Sequence, residues 1–217
     1  MKAGTGMDNK EKLCLELARI NAVKFGVFTL KSGLKSPVYI DLRLLVSHPD
    51  VLRLAGKVIG GLAQSGGLKF ERIAGIPYAA IPIATAVSLE FGWPMIYPRK
   101  EVKEYGTKKA IEGEYQKGET ILVIDDLITT GLSKMEAIAP LEAEGLKVRD
   151  IAVLIDRDPR GGGTKELEAK GYALHAALTV NELLEGLKKH GKIEAAQYQQ
   201  VKAYFKDPEA WQRTVKG

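Results

Sequence analysis

The feature that most restricts the fold is the run Ile121-Leu122-Val123-Ile124-Asp125-Asp126-Leu127-Ile128-Thr129-Thr130-Gly131. Its four leading apolar residues, mostly β-branched, predict a strand over Ile121 to Ile124 that is buried on both faces, as in a parallel sheet. Two carboxylates follow directly, then two hydroxyls and a glycine. A helical pattern comes next: Leu132, Met135, Ile138 and Ala139 share a face, and Gly145 is a fitting stop. A strand that turns into a helix aims several backbone N–H groups at one spot, where the helix dipole adds partial positive charge. That turn suits a phosphate, and Thr129 and Thr130 add hydroxyl donors. Asp125 and Asp126 suit sugar hydroxyls instead, because an ionised carboxylate only accepts hydrogen bonds. The combination describes a site for a ribose 5-phosphate. An acid that merely caps the helix, with Thr129 as a turn residue, explains one member of the run but not all of them.

The remaining chain alternates strands with helices. Asp8 to Val23 reads as an amphipathic helix. Lys24 to Gly33 alternates like a strand, and Val38 to Asp41 pairs with it in a hairpin through Gly33. Pro49 to Gln64 and Ala80 to Phe91 read as helices. Strands are expected at Arg72–Tyr78, which runs into a tight turn, and at Pro94–Tyr97, Ile121–Ile124 and Val148–Ile155. This order argues for parallel βαβ units, whose ligands lie beyond the carboxyl ends of the strands. That edge gathers Tyr78, Arg99, Asp125 to Thr130, and Arg157. The charged segment from Arg99 to Lys109, continuing to Gly118, is long for a connection and emerges beside the phosphate turn. It reads as a lid. Arg160-Gly161-Gly162-Gly163 reads as a flexible surface turn. Thr179 to Phe205 reads as two helices broken near Gly191.

Several classes are excluded or disfavoured. No apolar run approaches the roughly 20 residues that span a bilayer. The chain has no GxxxxGK[ST] pattern and no GxGxxG. His48, His175 and His190 are scattered without ligand spacing, which argues against zinc. The net charge of +5 is spread along the chain, with no recognition helix, so it favours a small anionic substrate over nucleic acid. The single cysteine, Cys14, cannot form an intrachain disulfide and lies in a helical pattern that reads as buried packing. A cytoplasmic location is expected. Residues 1–9 read as disordered and 10–217 as one domain, with a hood over about 10–45, a core over about 50–178 and C-terminal helices over about 179–210.

These segments resemble the orotate phosphoribosyltransferase family, within the type I phosphoribosyltransferases. The run from Ile121 to Gly131 is similar to that class's signature for phosphoribosyl diphosphate (PRPP). Phe25 to Pro37 resembles the orotate-recognising hood, Tyr97 to Gly106 the mobile catalytic loop, and Leu154 to Arg157 the strand end that supplies a base-binding arginine. The pattern is nearest to the orotate domain of bifunctional UMP synthases. The resemblance implies an α/β fold, with a central parallel sheet flanked by helices, a small N-terminal hood and a C-terminal helical tail. It implies transfer of phosphoribose from PRPP to orotate, giving orotidine 5′-monophosphate and diphosphate, with Mg²⁺ held mainly through PRPP. Implied catalytic residues are Lys103, Arg99, Lys100, Asp125 and Asp126. Implied PRPP contacts are these and Lys31, Tyr78, Ala79, Tyr105, Leu127, Ile128, Thr129, Thr130, Gly131, Leu132 and Ser133. Implied orotate contacts are Lys31, Tyr39, Ile40, Thr129 and Arg157. A homodimer with the lid shared between subunits is implied, without nucleic-acid or membrane partners. The sequence departs from the family at Tyr105, where some members carry His, and at Ala79, where many bacterial members carry Lys. It also departs at Ile40, a position that is often aromatic.

Overall fold

The computed structural model describes residues 7–30, 33–100, 110–129, 132–158 and 160–215. The chain divides into two compact units, one of residues 1–51 with 180–217, the other Leu52–Thr179.

In the first unit, α1 (Asn9–Arg19) precedes an antiparallel hairpin of β1 (Val23–Thr29) and β2 (Lys35–Ile40). The hairpin closes as expected through Gly33, whose φ of 81° falls in the left-handed region that glycine tolerates, and Leu30 N–H donates to the Leu34 carbonyl. A 3₁₀ turn at Leu42–Ser47 leads to α2 (Pro49–Ser65), which from Leu52 onward belongs to the second unit. Three helices of this unit come from the chain's end. They are α6 (Val180–Lys189), packed on α1; α7 (Ala195–Lys206), packed on β2; and α8 (Pro208–Thr214). Cys14 is buried in α1, where an added methyl on Gly186 would press on its sulfur at 3.3 Å. Burial pushes its thiol up to about 12. α8 follows an Asp-Pro pair: Asp207 accepts from the Ala210 N–H at 2.8 Å, and Pro208 opens the helix.

The second unit is built on a six-stranded sheet. Its strands in chain order are β3 (Arg72–Gly75), β4 (Met95–Pro98), β5 (Ile111–Glu112), β6 (Thr120–Ile128), β7 (Lys147–Asp156) and β8 (Ala173–Thr179). Across the sheet they run β5-β4-β3-β6-β7-β8, all parallel except β5. The flanking helices are α3 (Ala80–Phe91), α4 (Leu132–Ala143) and α5 (Gly162–Glu168). Ile121 and Val123 pack in one layer with Ile138 and Leu141 of α4 and Leu167 of α5, while Leu122 and Ile124 are fully buried on the opposite face. Burial on both faces explains the unbroken apolar run.

Several sequence expectations need correction. β6 does not stop at Ile124. It runs to Ile128, because β7 continues alongside and pairs Val153 with Asp125 and Ile155 with Leu127, so both acids lie within the strand. On α4, Ala139 is exposed; the buried stripe is Lys134, Ile138 and Leu141, spaced i, i+4, i+7. The stretch beyond Lys109 is not all lid, since Ile111–Glu112 is an edge strand on β4. Gly162 and Gly163 open α5 rather than forming a surface turn. Asp158 accepts their N–H groups at 2.5 and 3.2 Å, and Gly163 is buried against the Thr129 carbonyl.

Candidate active site

The carboxyl edge of the parallel strands carries a cavity of about 470 Å³. Three strand ends supply it. β3 runs through Ile76-Pro77 into Tyr78 and Ala79 at the start of α3. β4 ends at Pro98, followed by Arg99 and Lys100. β6 supplies Asp125 and Asp126, and α4 closes the side with Lys134, Glu136, Ala137 and Pro140.

The acids are held differently. Asp125 is 3% exposed; its Oδ1 accepts the Asp126 N–H at 2.7 Å and its Oδ2 accepts from Lys134 Nζ. Burial pushes the Asp125 carboxyl up; the Lys134 ammonium opposes that rise and the neighbouring Asp126 adds to it. Asp126 is half-buried, and its Oδ1 accepts the Leu127 N–H at 2.8 Å. Each acid thus engages a backbone donor on its own strand, which fixes its rotamer.

The cations stand across the cavity. The Arg99 backbone N–H donates to the Ala110 carbonyl at 2.8 Å and its guanidinium pairs with Glu112 of β5. These contacts clasp the two ends of the segment that connects β4 to β5. Lys100 Nζ lies 5.2 Å from the centre of the Tyr78 ring, a cation–π contact with a side chain that is 65% exposed.

Of the residues singled out in the sequence, Tyr78, Ala79, Arg99, Lys100, Asp125 and Asp126 line this one cavity. Leu127, Ile128 and Thr129 continue along and past β6. Arg157 lies just beyond β7, its backbone N–H donating to the Ile128 carbonyl at 2.9 Å, so the ends that carry Thr129 and Arg157 are joined. The Asp156 carboxyl before it is raised by burial, while the backbone N–H groups around Asp158 outweigh its desolvation and hold it low. Tyr39 and Ile40 belong to β2 of the other unit. There the Tyr39 ring lies 5.6 Å from that of Phe28, and its hydroxyl accepts from Arg43 at 3.2 Å. Lys31, Lys103, Tyr105, Thr130 and Gly131, and the side chains of Leu132 and Ser133, lie outside the described residues. Sequence reasoning missed Lys134 altogether. A lysine in the first turn of a helix, where the dipole disfavours cations, is the signal that could have found it.

Paired acids within a buried central strand and two cations line one open cavity at the carboxyl edge, on a sheet and helix arrangement that is the fold of the phosphoribosyltransferases. The family model described as phosphoribosyl transferase domain matches residues 44–172. Uridine 5′-monophosphate synthase of Bos taurus is 42% identical over 87% of this chain and 39% of its own length. Orotate phosphoribosyltransferase of Thermococcus gammatolerans is 40% identical over 82% of this chain and 94% of its own. The solved structure of Leishmania donovani UMP synthase superimposes with a TM-score of 0.82 at 44% identity, covering 90% of this chain and 42% of that one. The chain therefore spans about two fifths of the UMP synthases it matches. It belongs to the orotate phosphoribosyltransferase family. Among the described residues no helix is long and apolar enough to cross a membrane.

Proposed function

We propose that this protein transfers the phosphoribosyl group of PRPP to orotate, giving orotidine 5′-monophosphate and diphosphate in pyrimidine biosynthesis. The observation that carries the reading is the single cavity in which Asp125 and Asp126 face Arg99 and Lys100. In the transition state the bond from the anomeric carbon to diphosphate lengthens. The ribose becomes oxocarbenium-like and negative charge gathers on the leaving group. Cations aimed at that charge stabilise the transition state more than the ground state. Lys103, Lys100 and Arg99 take this role, with Arg99 exchanging Glu112 for the diphosphate. One cation 4 Å from the departing charge is worth on the order of 4 kcal/mol at an effective dielectric of ~20.

Asp126, with Asp125 behind it, holds the ribose hydroxyls and orients the anomeric carbon. Leu127 through Ser133 take the 5′-phosphate on backbone N–H groups and hydroxyls. Arg157, Lys31, Thr129, Tyr39 and Ile40 recognise orotate, and the arginine's planar fork suits its carboxylate. A divalent cation suits the oxygen-rich side of the cavity that Asp126 presents. Mg²⁺ would be held by the donor's own diphosphate and hydroxyl oxygens and would neutralise the leaving group's charge. The connection between β4 and β5 acts as the lid that excludes water, and it is shared between the subunits of a cytoplasmic homodimer. Assay of PRPP with a panel of bases tests the substrate. Turnover of orotate alone is expected; turnover of hypoxanthine or adenine without orotate rejects it.

A further inference from the structure

Strand geometry divides the two acids. Ile121 and Val123 face the layer that contains Ile138 and Leu141 of α4, so the two-residue period turns Asp125 to α4 and Asp126 away from it. On that side Lys134, only 8% exposed, pairs with Asp125. Lys134 is the third residue of α4, where the helix dipole disfavours a cation, and a buried ammonium needs a compensating anion. Asp125 is the anion in contact with it. The pair sits in the wall of the donor cavity, yet the chemistry above gives Lys134 nothing to do.

We propose that Lys134 is a positioning residue of the donor site: it clamps Asp125 as a fixed strut behind the sugar and leaves Asp126 to meet the ribose hydroxyls. This rests on the reading of the cavity as a PRPP site. Lys134 also brings the acidic pair and its neighbour to a net single negative charge, which moderates repulsion of a polyanionic donor. The titratable and charged groups that line the cavity with Asp125 are Asp126 on β6, Lys134 and Glu136 on α4, Arg99 and Lys100 after β4, and Tyr78 before α3; its β7 partner is the apolar Val153. Without Lys134, burial and Asp126 both favour the protonated acid unopposed, so Asp125 keeps its proton to higher pH than in wild type and regains its charge as pH rises.

The test is the pH profile of K134M, which keeps most of the stem and removes the charge. Its kcat/KM for PRPP is expected to fall at least about tenfold at pH 6.5 and to recover to within about threefold of wild type by pH 9. The double variant D125N/K134M has no buried charge at the pair and is expected to lose that limb. A K134M profile parallel to wild type, or a limb that persists in the double variant, overturns the proposal. Melting of the ligand-free proteins supplies the second arm: K134M is expected to melt about 6–12 °C lower and the double variant to recover at least half of that loss. Additive losses overturn the clamp. Wild type that binds no PRPP overturns the underlying reading, and with it the donor role of Lys134. The melting cycle tells that failure apart, because it involves no donor.

Discussion

Asp125 and Asp126 are adjacent in sequence but differ in environment, because one faces α4 and the other does not. The sequence displays the pair, and its chemistry as diol acceptors follows from residue type alone. The division of labour does not, since it depends on Lys134, a residue that the sequence pattern does not single out. The same substitution of a charge for an apolar residue hides the true face of α4 and makes Ala139 look buried. At this scale Lys103→Ala is the sharpest test of the lid. Loss of a cation from the departing diphosphate is expected to lower kcat by about 100-fold or more, with KM for PRPP changed far less. An ordinary surface lysine such as Lys57, paired with Glu90 at 3.4 Å, serves as the control and is expected to leave the rate within twofold, roughly, when changed to alanine. A kcat within a few-fold of wild type for Lys103→Ala removes that residue from the mechanism.

At the level of elements, legibility follows the strength of the local pattern. β3, β4, β6 and β7 are apolar enough to be read directly, and α3 is read to the residue. β8 is not. Ala173-Leu174-His175-Ala176-Ala177 lacks β-branched residues, and its position at the sheet edge next to β7 asks little of its exposed face. α5 is obscured by its glycines, because its N-cap is Gly161 and the side chain that accepts its first N–H groups is Asp158, three residues upstream of that cap. β5 is only two residues long and exists through its pairing with β4. Where the central strands begin, Arg72 of β3 donates to Glu119 at 2.6 and 3.0 Å, a bidentate pair that ties β3 to the entry of β6. The Arg72 guanidinium, with the Gln116 N–H, holds the Glu119 carboxyl below its usual value. A lowered acid contributes stability above its unfolded value, and the contribution is lost as pH falls through the lower folded value. Arg72→Met is therefore expected to cost about 1–2 kcal/mol at pH 7 in urea denaturation, with the difference shrinking below about pH 4. A penalty independent of pH would show that the guanidinium acts by packing alone.

For the molecule as a whole, the strand-end rule of parallel sheets makes the site legible before the fold is known. Residues separated by nearly fifty positions, Tyr78 to Asp126, meet because their strands lie side by side and end on the same edge. What the sequence leaves open is the cavity's fourth wall on α4, which depends on how the helix is rotated. The proposed sharing of the lid across a homodimer makes a specific whole-molecule prediction. Lys103→Ala and Asp126→Asn variants, each nearly inactive, should complement when mixed and allowed to exchange subunits. Half the dimers are then mixed and each carries one intact composite site, so activity is expected to reach roughly a quarter of wild type. Activity no greater than the mean of the separate variants would assign both residues to the same subunit's site.

The central claim is that the end of β6 binds a phosphoribosyl donor, and titration calorimetry of PRPP into the ligand-free protein with Mg²⁺ measures it most directly. Wild type is expected to bind one PRPP per chain, and Asp126→Asn to bind at least about tenfold more weakly at an unchanged melting temperature. Binding unaltered by that substitution would contradict the account.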